Sequence, residues 1–172
     1  MEILASIKES IPDYAKDIRL NLDAVISRSS LSPEDAVGSA LAAAYAAKSK
    51  FLIDAFKSGL SDTDANAALT AAALMGMNNV WYPYPEMSDD AQLKTLAPQL
   101  RMNAYATHGG VDKKRFELFA LVASIIGKCH FCVKSHYATL KQEGLSTEQL
   151  RDAGRIAAVV NAAAQVLAAE GK

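Results

Sequence analysis

The chain has 172 residues, a formal net charge of −1 and 51% hydrophobic residues. That length allows one domain with a core of its own, needing neither disulfides nor a structural metal to fold. The apolar fraction excludes a disordered chain. The balanced charge gives no electrostatic reason to expect nucleic acid, and charges interrupt each apolar run before the roughly 18 residues a membrane helix needs. The opening MEILASIKESIPDYAKDI carries acids in a helical pattern, unlike the basic region and unbroken apolar core of a signal peptide. The default expectation is cytoplasmic. Two cysteines in a reducing compartment point to catalysis or metal binding rather than to a structural staple.

In chain order, Ile3, Ile7, Ile11, Tyr14, Ile18 and Leu22 fall at helical spacing, with Pro12 where one helix gives way to another. SSLSPEDAVGSALAAAYAAKS reads as a helix with Ser32 as N-cap, Pro33 at its first position, and Glu34 and Asp35 in the first turn. SDTDANAALTAAALMGMNNVWY opens on another cap signal and carries an alanine-rich helix into Gly76. Pro83 and Pro85 then break the pattern. DDAQLKTLAPQLRMNAYATHGG reads as one short helix and an irregular link. A helix capped by Asp112 follows, then another stopped at Gly144, and a last one opening on the capping-box pattern of Ser146 to Gln149. An internal echo pairs Gly76 with Gly127, Asn78 with Cys129 and Trp81 with Cys132. No strand or hairpin signal is present. The expectation is an all-α, compact multi-helix bundle of about seven or eight helices, a single domain over residues 1–172.

Chemistry concentrates in GKCHFCVKSH, residues 127–136, which holds both cysteines and two of the three histidines. On a helix Cys129, Cys132 and His136 share one face. With a helix start near Gly127, Cys129 sits in the first turn, where unpaired N–H groups and the dipole stabilise a thiolate. The spacing also suits an internal disulfide. Glu117 lies in the otherwise apolar FELFALVASII. Residue pattern alone favours a solvated face for it. The sharper alternative packs its carboxylate against His136, fixing the imidazole tautomer and raising its basicity.

His130 faces away from the cysteine stripe, and His108 falls in an expected loop. Phe131 and Tyr137 read as packing residues. Trp81 reads as a core or subunit anchor, and Asn78 and Asn79 as groups that cap or bond buried backbone. A structural zinc site needs four ligands, usually from two knuckles; one C-x-x-C would have to recruit His136 and a distant His108 or Glu117.

These residues resemble the AhpD family, the alkyl hydroperoxidase D proteins of the carboxymuconolactone decarboxylase-like superfamily. The likeness runs through IPDYAKDIRLNL, ALMGMNNVWY, LRMN and RFELFALVASIIGKCHFCVKSH. Glu117, Cys129, Cys132 and His136 match the family's pattern of Glu, C-x-x-C, three residues and His. The resemblance implies an all-helical subunit, a homotrimer, and weak peroxidase activity on organic hydroperoxides. It also implies reduction of the peroxiredoxin alkyl hydroperoxide reductase C. The electrons would come from dihydrolipoamide on a lipoyl-bearing acyltransferase, with no bound metal or other cofactor. By the same likeness Cys132 is the deeper cysteine that meets peroxide, and Cys129 is the exposed one that resolves it and exchanges with the partner. Glu117 and His136 form the proton relay. Some members have a histidine directly before the second cysteine, where this chain has Phe131, so His130 stays outside the four. The alternative readings are a decarboxylase-like lyase and a non-catalytic zinc-binding module.

Overall fold

A computed structural model describes residues 2–172; Met1, the first residue of the expected domain, lies outside them. The α-helices are α1 (Ile3–Glu9), α2 (Lys16–Leu22), α3 (Pro33–Ala46), α4 (Lys50–Lys57) and α5 (Asp62–Trp81). They continue as α6 (Tyr84–Met87), α7 (Asn103–Ala106), α8 (Lys113–Ile126), α9 (His130–Gln142) and α10 (Thr147–Ala169). Among the described residues there is no strand. The fold is all-α, and among the described residues α6 and α7 are single turns beside eight longer helices.

The cap signals hold. Ser32 accepts from the Asp35 amide with Pro33 behind it, Asp112 accepts from Arg115 N, and Ser146 with Gln149 closes a capping box. Other expectations are corrected. Gly76 does not end its helix: α5 continues to Trp81, because packing offsets the roughly 1 kcal/mol a mid-helix glycine costs. Pro83 and Pro85 do not exclude helix; they occupy the cap and first turn of α6, where their missing N–H groups would have no helical partner anyway. After Pro12 a 3₁₀ turn, Asp13–Ala15, rotates the register, so Tyr14 leaves the apolar stripe and its exposed hydroxyl reaches Glu170.

Helices α3 and α8 lie at the centre, packed against each other and each against α5 and α10. Both are buried along nine consecutive residues, Ala36–Ala44 and Phe116–Ser124, as expected of helices enclosed on all sides. Small residues on α3 permit the close approach: a Cβ on Gly38 would come within 2.4 Å of the Phe119 ring.

The expected echo of the Gly76–Trp81 segment in Gly127–Cys132 is corrected: α5 runs unbroken through Gly76, Asn78 and Trp81, and the segment that repeats α8–α9 is α3–α4 instead. α3–α4–α5 repeats as α8–α9–α10. Ala47–Lys48–Ser49 in the first unit matches Gly127–Lys128–Cys129 in the second: both lysines take positive φ, 60° and 55°. Ser49 N bonds Ala44 O as Cys129 N bonds Ser124 O. Ser49 caps α4 and Cys129 caps α9, each accepting from an amide three residues on. Leu60–Ser61 and Leu145–Ser146 then open α5 and α10. In this register Ser49, Leu52 and Phe56 stand where Cys129, Cys132 and His136 stand, and Val37 stands where Glu117 does. All four are buried.

Candidate active site

Helix α8 carries Glu117 through the centre of the molecule, so the carboxylate is enclosed rather than on a solvated face. The turn Gly127–Lys128–Cys129 sends α9 back along α8. Gly127 has an ordinary φ of −69°, and Lys128 supplies the left-handed residue. Glycine is needed at 127 for space: a Cβ there would lie 2.0 Å from Asn79 Nδ2, which bonds Ala123 O at 3.2 Å.

Helix α9 begins at His130, not near Gly127. Cys129 is therefore the N-cap and Cys132 occupies the first turn. The two cysteines are bridged by a disulfide, with Cα atoms 5.3 Å apart. Cys129 Sγ accepts from the Cys132 amide at 3.1 Å. This cap geometry turns the sulfur inward, and the expected exposure of Cys129 is corrected: it is 0% exposed, Cys132 3%. Cys132, not Cys129, meets the cavity. That cavity holds about 210 Å³ and is walled by Asn78, Tyr82, Met102, Tyr105, Phe131 and Ser135 beside Cys132 and His136. Cys132 Sγ also lies 3.8 Å from the Asn78 carbonyl oxygen.

His136 is buried, with Nδ1 2.6 Å from Glu117 Oε2 and Nε2 3.2 Å from Met75 Sδ. The hydroxyl of Tyr105 donates to the other carboxylate oxygen, Oε1. Burial raises the Glu117 pKa, but hydrogen bonds from His136 and Tyr105, then the charges of His136 and Lys113, outweigh it and leave the carboxyl below its ordinary value. Tyr105 moves the other way. Burial first, then its bond to Glu117 and the nearby negative charge, push its pKa far up, so it remains a donor.

The structure thus brings together Glu117, Cys129, Cys132 and His136. His130 is exposed on the opposite face, above a shallow surface with Val133 and Tyr137. His108 packs against Tyr105 and Phe116 without reaching the thiols. Phe131 is half exposed and stacks on Tyr82 with centroids 4.6 Å apart. Tyr137 is exposed and not in the core. Asn79 does bond buried backbone, whereas Trp81 is half-buried near Tyr84. Among the described residues no three His, Cys, Asp or Glu side chains group as a metal site. Tyr105 lies outside every block that carried the resemblance, and Met75, though inside ALMGMNNVWY, has no residue type that marks it as a site residue; only the folded path of the chain brings them to the dyad.

Residues 91–171 match the Carboxymuconolactone decarboxylase family. Over nearly its whole length the chain is also similar to proteins named alkyl hydroperoxide reductase AhpD. The one from Rhodospirillum centenum is 42% identical over 97% of this chain and 91% of its own. That of Maricaulis maris is 43% identical, covering 96% and 97%, and that of Coxiella burnetii 39%, covering 99% of both. The chain belongs to the AhpD family.

Proposed function

We propose that this protein is an antioxidant alkyl hydroperoxide reductase that works through the Cys129–Cys132 dithiol. The observation carrying the reading is a redox-competent cysteine pair of which one sulfur, Cys132, meets a cavity shared with a buried His136–Glu117 dyad. The names of its relatives agree with it.

In the reduced form, Cys132 thiolate attacks the distal oxygen of an organic hydroperoxide. The O–O bond breaks, the alkoxide takes a proton and leaves as alcohol, and Cys132 becomes a sulfenic acid. His136, oriented by Glu117, moves the proton. Cys129 then displaces water from the sulfenic acid and the disulfide forms. Dihydrolipoamide reopens it: one thiolate attacks Cys132 Sγ through the cavity and Cys129 leaves, favoured by the Cys132 amide that caps it. The second lipoyl thiol releases Cys132 and closes lipoamide. The reduced Cys129/Cys132 pair then attacks the disulfide of the peroxiredoxin alkyl hydroperoxide reductase C, which returns to its dithiol form as the Cys129–Cys132 disulfide re-forms, with a lipoyl-bearing acyltransferase as the electron source. No helix among the described residues is long and apolar enough to cross a membrane. Cytoplasmic location and a homotrimer complete the proposal; sedimentation equilibrium tests the trimer.

Thiol titration tests the chemistry. The reduced protein should show two free thiols, lose both on one equivalent of cumene hydroperoxide as an intramolecular disulfide, and regain them with dihydrolipoamide. Turnover that survives thiol alkylation would sink the reading and favour a lyase.

A further inference from the structure

Tyr105 sits on α7, a single turn in the long link between α6 and α8. Its hydroxyl nevertheless bonds Glu117 Oε1 while His136 Nδ1 holds Oε2, so two different elements grip one carboxylate through both oxygens. The phenol ring meets Phe116 edge-on at 5.4 Å and lies 28° from the His136 ring plane at 6.5 Å. It forms part of the wall of the cavity it shares with Cys132.

We infer that Tyr105 is a positioning residue of the thiol–imidazole site: its hydroxyl fixes the orientation of Glu117 and keeps the carboxyl ionised, so that His136 is held ready to serve Cys132. This deepens the reductase reading and rests on it for the activity measurement alone.

A carboxylate withdrawn from water needs donors to stay charged. The groups around Glu117 are His136 on α9, Tyr105 on α7 and Lys113 on its own helix, with His108 beyond Phe116. Lys113 is exposed and its ammonium is engaged by Glu143. Met75, on α5, is uncharged. Among the described residues Tyr105 and His136 are thus the two groups that bond the carboxylate directly, one at each oxygen. Without the Tyr105 hydroxyl, Oε1 faces the cavity unpaired and the carboxyl becomes easier to protonate.

Tyr105→Phe keeps the ring and removes the hydroxyl. In the disulfide form, ¹³C-carboxyl NMR should show Glu117 titrating about one to two pH units higher than in the wild type, the usual strength of a hydrogen bond to a charged group; Glu117→Gln assigns the resonance. In turnover, the acid limb of kcat/KM for hydroperoxide should rise by a similar amount, with two thiols still titrating after reduction. Incorporating difluorotyrosine at 105, a stronger donor of nearly the same shape, should move both readouts down. A Glu117 titration unmoved by either replacement overturns the inference, and the difluorotyrosine protein decides the matter if Tyr105→Phe folds poorly. The NMR measurement does not need activity. A moved titration in a protein that ignores hydroperoxides would sink the reductase reading and leave the role of Tyr105 standing; an active protein with an unmoved titration would do the reverse.

Discussion

Replacing Gly127 with alanine tests whether close packing sets the position of the cysteine turn. The φ of −69° suits alanine, so backbone strain plays no part. The added Cβ would sit 2.0 Å from Asn79 Nδ2, 2.5 Å from Asn79 Cγ and 2.9 Å from Asn79 Cβ. The nearest of these could rotate away, but the last is anchored to α5, so the turn itself must shift. Overpacking of this kind costs about 1–3 kcal/mol, and losing the Asn79–Ala123 bond adds about 1. Alanine's smaller unfolded-state entropy returns about 0.4–1 kcal/mol. The net loss is about 2 kcal/mol, a fall in Tm of roughly 4–8 °C for a chain of this size. Gly76→Ala is the matched control. It is mid-helix with nothing within 4 Å of a new Cβ, so it should stabilise by up to ~1 kcal/mol. Urea unfolding of the two oxidised variants measures both. A Gly127→Ala protein as stable as the Gly76→Ala one would refute the packing argument.

Glu117→Gln and His136→Gln should each slow hydroperoxide turnover by about 10²-fold or more, read in single-turnover kinetics; near wild-type rates in either would remove the dyad from the mechanism. Cys129→Ser leaves the thiol that meets the cavity, which should form a dimedone-trappable sulfenic acid, whereas Cys132→Ser leaves one that is 0% exposed and slow to label; the opposite order would reverse the assigned roles. Asp152 is buried and accepts from Ser30 N, Ser30 Oγ and Arg155. Burial raises its pKa, but those bonds and Arg151 outweigh it and hold the carboxyl well below the usual range. A lowered native pKa gives stability that is present above the unfolded value of about 3.9 and lost as pH falls through the native one. Asp152→Asn should therefore cost about 2–4 kcal/mol at pH 7, and its deficit should shrink in strong acid. A deficit independent of pH in denaturant titrations contradicts this.

Local chemistry made some elements readable and left others dark. Ser32, Asp112 and Ser146 are visible because a cap is a bond between near neighbours in sequence. The four site residues were recognised through spacing and flanking blocks, yet the environment of Glu117 was not. An acid in an apolar helix reads as solvated until the surrounding helices are in place, and here α8 is enclosed by α3, α5 and α10. The α9 boundary fell three residues from its expected position because Lys128, not the glycine, takes the left-handed conformation. Tyr105 was invisible for a further reason. The link from 88 to 112 has little regular periodicity, and only tertiary packing decides which of its side chains reaches the centre.

The paired architecture bears on how freely the site can be altered. In the α3–α4 unit the same turn is closed by Ser49, with Leu52 and Phe56 filling the space beneath it. The molecule therefore already contains a sulfur-free version of its own reactive turn. Opening and closing the Cys129–Cys132 bond changes the covalent state of a joint whose hydrogen-bonded frame stands without it. Each redox cycle can then leave the surrounding helices in place, and a serine at 129 only restates a cap the chain uses elsewhere.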